Sequence, residues 1–240
     1  MRIDKLLAHS GFGTRKEVKE LIKTGVVKVN DSVVKKGKEH VDPDVDDIVV
    51  GVESIHYQEY VYYMLNKPQD VISATQDYQH MTVIDLLEPN DAILEPHPVG
   101  RLDIDTVGLL ILTNDGALTH RLTSPNGKVP KTYYAEVEGV MTSSDIEAFK
   151  EGVILDDDYE TLPAELVITG TDEETGTSTI ELTIYEGKYH QVKRMVEAVG
   201  KEVTFLKRLS MGDLELDPTL PEGKYRPLTE EEIDLIKEED

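Results

Sequence analysis

The spacing of apolar positions changes several times along the chain, and each change marks an element. Ile3, Leu6 and Leu7 fall on one side of a short helix over residues 3–8, which Gly11 and Gly13 interrupt. Thr14-Arg-Lys-Glu17 then has the spacing of a capping box, and the helix behind it carries Val18, Leu21 and Ile22 on one stripe, with Gly25 as its C-terminal cap. Residues 26–34 read as a small hairpin turning at Asn30-Asp31, and residues 48–50 as a short strand after a turn-rich acidic corner. Residues 52–58 show no periodicity. An apolar strand begins at residue 60 and stops at Asn66-Lys67-Pro68; a short helix is expected over 82–87, ending before Pro89. The continuous apolar run 109–112, closed by Asn114-Asp115-Gly116, predicts a strand buried on both faces.

Beyond it the pattern gives a brief helix over 117–122, an alternating strand over 131–138 and a helix over 143–150 stopped by Gly152. Strands follow at 165–169 and 179–185, with an exposed turn between them over 171–176. Val192, Met195, Val196 and Val199 mark a further helix closed by Gly200, and residues 202–209 a further strand. The acidic terminal helix that Thr229 caps reads as a solvated face. Strands and helices interleave without a repeating βαβ rhythm, so the fold class is α+β, with a mixed, largely antiparallel sheet flanked by helices. The expected division is a small module over 1–52, a linker over 53–59 and a larger domain over 60–240.

Composition adds two constraints. The 240 residues contain no cysteine, which excludes disulfides and thiolate-bound zinc and fits a cytoplasmic setting. No apolar run approaches membrane-spanning length, and the opening residues lack the apolar stretch of a signal peptide. The net charge of -23 argues against a nucleic-acid partner until its distribution is read. Residues 1–40 hold ten Lys/Arg against five Asp/Glu, a net of +5 that leaves -28 for the remainder. Local field decides where a phosphate backbone docks. Arg15, Lys19 and Lys23 share one helix face beside Lys16, and Lys35, Lys36 and Lys38 extend the basic rim. The helix–helix–hairpin order resembles the small RNA-binding module of the ribosomal protein S-four type, and that resemblance makes Arg15, Lys16, Lys19 and Lys23 RNA contacts.

Candidate chemistry centres on Gly100-Arg-Leu-Asp-Ile-Asp-Thr-Val-Gly108, an irregular charged segment joined directly to the buried run. Read alone, Arg101 and Asp103 are either an ion pair tying a loop down or a reactive carboxylate on a rigid mount. Asp103-x-Asp105 also matches the motif of aspartyl-phosphate phosphatases, but no hydrophobic strand precedes it and no distal lysine and acidic pair completes it. No Walker loop, dinucleotide fingerprint or Gly-x-Ser-x-Gly elbow is present. The other polar clusters are Lys131-Thr-Tyr133 and Lys188-Tyr-His-Gln-Val-Lys-Arg194.

In the order Asn66-Lys-Pro68, Gly100 to Gly116, Lys131-Thr-Tyr133 and Glu186-Gly-Lys-Tyr-His-Gln-Val-Lys-Arg-Met195, these motifs resemble the RsuA branch of the ribosomal RNA pseudouridine synthases. The resemblance spans nearly the whole chain. It implies isomerisation of a uridine in ribosomal RNA: the uracil leaves its ribose, turns, and rejoins through its fifth carbon. It makes Asp103 the essential catalytic group, Arg101 the support of the flipped geometry, Tyr133 the aromatic packed on the target base and Lys193 the cation facing the aspartate. Lys67, Lys131, His190 and Arg194 become further RNA contacts. Relatives often have arginine at the position of Lys193 and glycine at that of Asp70. No metal and no organic cofactor is implied. The expected substrate is 16S rRNA, as a small-subunit assembly intermediate met by a monomeric enzyme. A 23S enzyme of the same branch and a non-catalytic assembly factor are the alternatives.

Overall fold

The computed structural model describes residues 1–55, 57 and 59–237. The chain forms two compact units: Met1–Val61 together with Glu88–Glu95, and Tyr62–Leu87 together with Pro96–Asp240.

In the first unit, α1 (Ile3–His9) and α2 (Arg15–Lys23) precede four short strands, β1 (Val27–Val29), β2 (Ser32–Val33), β3 (Ile48–Val50) and β4 (Glu53–Ser54), in the sheet order β2-β1-β3-β4. The capping box forms as the sequence predicts. The Thr14 amide donates to Glu17 Oε2 at 2.7 Å and the Glu17 amide to Thr14 Oγ1 at 3.4 Å. Asn30 and Asp31 take φ of 48° and 63°, the left-handed backbone region that lets a two-residue turn match the right-handed twist of the β1–β2 strands. Ile3, Leu6, Leu7, Val18, Ile22, Val27 and Ile48 make the core. Strand β4 occupies the start of the expected linker, because Val49 and Val50 pair with Ser54 and Glu53. Of the same stretch, residues 56 and 58 lie outside the described residues.

A helix over 82–87 does not form. The Thr82 amide donates to Asp85 Oδ2 at 2.7 Å and the Asp85 amide to Thr82 Oγ1 at 3.3 Å, so the chain begins as a capped helix would. Pro89 forces Glu88 into an extended conformation, with φ -63° and ψ 148°, before a full run of helical bonds can close. The result is a set of turns, and the helix starts one step later as α3 (Pro89–Ala92).

The second unit is built on a nine-stranded sheet. Its strands are β5 (Tyr62–Lys67), β8 (His97–Pro98), β9 (Val107–Thr113), β10 (Lys131–Glu138), β11 (Glu165–Asp172), β12 (Thr177–Ile184), β13 (Glu202–Met211), β14 (Leu214–Glu215) and β15 (Tyr225–Pro227). A separate pair, β6 (Val71–Ile72) and β7 (Met81–Thr82), lies outside it. The main order is β11-β12-β10-β13-β9-β5-β15, with β14 beside β13 and β8 beside β9. Within this nine-stranded sheet pairing is antiparallel except between β13 and β9.

Every residue of β9 is buried, in keeping with its uninterrupted apolar run. Its entry is set by Gly108 at φ +100°, paired with Arg208; a Cβ there would sit 2.3 Å from the Arg208 carbonyl oxygen. Met64, Leu109 and Ile111 pack with Leu118 and Leu122 of α4 (Gly116–Thr123) and with Ile236 of α7 (Glu230–Lys237). The terminal helix is therefore more than a solvated face. Ile236 is buried, Ile233 packs against the same core, and Arg226 donates to both Glu232 carboxylate oxygens at 2.7 Å. Two further helices, α5 (Ser143–Glu151) and α6 (Gln191–Ala198), complete the unit.

Candidate active site

The loop between Gly100 and β9 is held by hydrogen bonds both from outside and within itself. Ser73 and Leu102 bond reciprocally: the Leu102 amide donates to Ser73 Oγ and the Ser73 hydroxyl to the Leu102 carbonyl, both at 3.0 Å. The Asp70 amide donates to the Ile104 carbonyl at 2.9 Å, and Thr106 N to the Asp103 carbonyl at 3.0 Å. Asp70 achieves its bond at φ +61°, a conformation glycine adopts freely and aspartate tolerates.

Beneath the loop lies Lys67, expected as an RNA contact. It is fully buried instead, and its ammonium donates to the carbonyls of Pro68 and Thr106 at 2.9 Å and of Ile104 at 3.4 Å. Burial pushes its pKa down to about 8, against the pull of Asp105 and Asp103. Lys67 therefore anchors the loop from within and has no surface to offer RNA.

A second set of bonds aims α6 at the loop. Glu186, buried, accepts from Tyr159 Oη at 2.6 Å, from the Leu162 amide at 2.8 Å and from Gln191 Nε2 at 2.9 Å. Gln191 Oε1 in turn accepts from the Lys188 amide at 2.9 Å. This clasp fixes the turn from which His190 emerges at φ +48° and sets the first turn of α6, where Lys193 stands.

The two parts meet at Asp103. His190 Nε2 lies 3.5 Å from Asp103 Oδ1, and Lys193 Nζ lies 3.7 Å from Asp103 Oδ2. Lys193 is nearer to Asp105, donating to its two oxygens at 2.7 and 2.8 Å. Burial alone would raise the Asp105 pKa, but the Lys193 ammonium outweighs it and holds the carboxyl below its ordinary value. One ammonium thus serves two carboxylates.

Asp103, Arg101, Tyr133, Lys131, His190 and Arg208 line one cavity of about 730 Å³. Tyr133, only 8 % exposed, stands on β10 opposite Arg208 of β13, so the two side chains share a face of the sheet. Arg101 is exposed. Lys131 donates to the Val129 carbonyl at 2.9 Å, and burial, then the charge of Arg208, pushes its pKa down to about 8. Arg194, expected as an RNA contact, bridges Asp156 and Asp157 and also donates to the Tyr189 carbonyl at 3.2 Å. In the first unit Arg15, Lys16 and Lys19 are exposed, and Lys23, equally exposed, pairs with Glu20 at 2.7 Å.

A carboxylate flanked by an imidazole and an ammonium, over a cavity floored by an aromatic ring, suits chemistry on a planar base. The pattern of the RNA pseudouridylate synthase family matches residues 61–198, and that of the S4 domain matches residues 1–47. The chain belongs to the RNA pseudouridylate synthases. Similarity to single members extends over nearly its full length. An RNA pseudouridine synthase of Bacillus subtilis is 52% identical over 99% of both chains. The ribosomal small subunit pseudouridine synthase A of Vibrio vulnificus is 41% identical, over 98% of this chain and 99% of its own. The ribosomal large subunit pseudouridine synthase B of Bacillus subtilis is 39% identical, over 98% and 95%. A crystal structure of a pseudouridylate synthase superposes with a TM-score of 0.68 at 36% identity, covering 98% of this chain and 99% of that one.

The synthase therefore has the S4 module and the mixed-sheet catalytic fold expected of it, and the phosphatase reading of Asp103-x-Asp105 falls. Three of its site residues escaped sequence reasoning: Asp105, Glu186 and Gln191. Asp105 was visible only as half of a misleading motif. The five-residue step from Glu186 to Gln191 is legible in the motif, but its carboxylate–amide bond is not. No helix among the described residues is long and apolar enough to cross a membrane.

Proposed function

We propose that the synthase converts one uridine of 16S rRNA to pseudouridine, acting as a cytoplasmic monomer on a small-subunit assembly intermediate, with Asp103 as its catalytic group. The observation that carries the role of Asp103 is its place in the cavity, one oxygen toward His190 and the other toward Lys193. The target uridine is flipped out of its stack at a cost of a few kcal/mol and enters this cavity. Tyr133 packs on the uracil, Arg101 supports the vacated geometry, and Lys193 sets its ammonium beside the Asp103 carboxylate. The bond from ribose C1′ to uracil N1 breaks, the base turns, and a C1′–C5 bond forms. Loss of the C5 proton and protonation of N1 balance the isomerisation. Arg15, Lys16, Lys19 and Lys23 hold the RNA from the S4 module, with Lys131 and His190 contacting it at the cavity.

The 16S assignment draws on the similarity to small-subunit enzymes of Vibrio vulnificus and Haemophilus influenzae, at 41% and 38% identity. The 39% identity to a large-subunit enzyme supports 23S rRNA as the second reading. Completeness of the Arg101, Asp103, Tyr133 and Lys193 set disfavours a non-catalytic factor. Pseudouridine mapping of 16S and 23S RNA, from cells lacking the protein and from cells given back wild type or Asp103→Asn, tests all three. One 16S site is expected to vanish and to return with wild type only. A vanished 23S site selects the second reading; no vanished site, or recovery with Asp103→Asn, overturns the mechanism.

A further inference from the structure

Tyr189 is a large aromatic of the cavity lining that the isomerisation leaves without a task. It is 71% exposed, and its ring lies on that of His190 with centroids 3.8 Å apart and planes 19° from parallel. One face of the tyrosine is thus covered by the imidazole that reaches Asp103, while the rest meets solvent. The backbone on both sides is tied down. Arg194 Nη1 donates to the Tyr189 carbonyl at 3.2 Å, and the Lys188 amide bonds Gln191 at 2.9 Å. The Lys188 ammonium is drawn aside over the Tyr159 ring, 4.4 Å from its centroid. An uncovered aromatic held in one orientation beside a reactive carboxylate is a stacking surface without its partner.

The chemistry of base flipping names that partner. Extruding a uridine removes a stacking neighbour from the nucleotides on either side, and a preoriented aromatic ring can replace what was lost. We propose that Tyr189, backed by His190, is a platform on which a base flanking the target uridine stacks while the uridine occupies the cavity. This rests on the flipping step of the proposed function. The platform reads a π-face and not a hydrogen-bond edge, so it selects for the presence and size of the flanking base, purines over pyrimidines.

The test uses the full-length protein and the rRNA fragment that mapping identifies, intact and with an abasic residue at each flanking position in turn. Pseudouridine formation is followed with wild type, Tyr189→Ala and Tyr189→Phe. On intact RNA, Tyr189→Ala is expected to raise KM about tenfold with kcat little changed, and Tyr189→Phe to restore it, the loss being that of one base–aromatic stack. With one of the two abasic substrates, wild type and Tyr189→Ala should become equal. A KM for Tyr189→Ala within twofold of wild type, or the same ratio on both abasic substrates as on intact RNA, overturns the platform. Turnover by wild type on intact RNA checks the underlying reading separately: its absence overturns both, its presence with an unmoved ratio overturns the platform alone.

Discussion

Replacing Lys67 with methionine should leave the synthase folded and slow it severely. The side chain is fully buried, so methionine retains most of its volume, and only the ammonium and its bonds to Pro68, Ile104 and Thr106 are lost. Holding that charge in the fold is unfavourable: a pKa moved from 10.5 to about 8 corresponds to about 3 kcal/mol. Against this relief, each carbonyl left without its donor costs ~1–3 kcal/mol, or ~2–6 for the two closest. The opposing terms leave a net change below about 3 kcal/mol, measurable by urea unfolding. Turnover has no such compensation. Ile104 follows Asp103 directly and Thr106 lies three residues on, and a displacement of the carboxylate by about 1 Å can lower the rate ~100-fold.

The pH dependence gives an independent check on Lys67. Between about pH 8 and 10.5 the unfolded chain binds the lysine proton and the folded chain does not, so wild-type stability gains with rising pH from this group. The gain is fully developed above the unfolded pKa and absent below about 8. In Lys67→Met this part of the profile should disappear, while the similar contribution of Lys131, also pushed down to about 8, remains. Normal turnover in the variant, or an unchanged difference in stability between pH 8 and 10.5, would refute the anchoring role.

Two further substitutions probe the module and the sheet. Changing Arg15, Lys16 and Lys19 together to alanine should weaken RNA binding and make the dependence of log K on log salt shallower by roughly 2–3, read by fluorescence anisotropy at several salt concentrations; an unaltered slope removes the S4 module as the electrostatic anchor. Gly108→Ala would place a methyl 2.3 Å from the Arg208 carbonyl in a φ +100° conformation, so the parallel β9–β13 contact must open. A loss of at least ~3 kcal/mol is expected by chemical unfolding, from overpacking with backbone strain, and a variant as stable as wild type would contradict the close approach.

Local chemistry was readable from the sequence wherever a few neighbouring residues decide the outcome. The Thr14–Glu17 cap, the Asn30-Asp31 turn and the buried strand β9 are of this kind. The failures share a different cause. Asn66-Lys67-Pro68 reads as the stop of a strand, and nothing within the motif announces the Thr106 carbonyl, 39 residues away, that takes the ammonium inside. Arg194 belongs to a basic run, yet its partner Asp156 is 38 residues distant. In both cases the sequence shows a cation, and tertiary pairing decides which groups it faces. Residue type constrains what a group can do, and only the fold determines what it faces.

The same distinction bears on Lys193, where the family resemblance leads one to expect arginine. Arginine offers a planar fork that engages one carboxylate through two bonds, whereas lysine presents a compact charge with three donors free to rotate. Here the compact charge sits 2.7 Å from Asp105 and 3.7 Å from Asp103, a division one ammonium can make without leaving either carboxylate unopposed. The closer bond restrains the lysine; the looser one leaves Asp103 partly uncommitted, with its other oxygen 3.5 Å from His190. A carboxylate gripped at hydrogen-bond distance on both oxygens would have to surrender those bonds before acting on a substrate. Asp105 therefore belongs to the working site: it keeps the cation beside Asp103 while sparing Asp103 its full grip, and Lys67 and the Glu186–Gln191 clasp hold the two backbones that make this spacing possible.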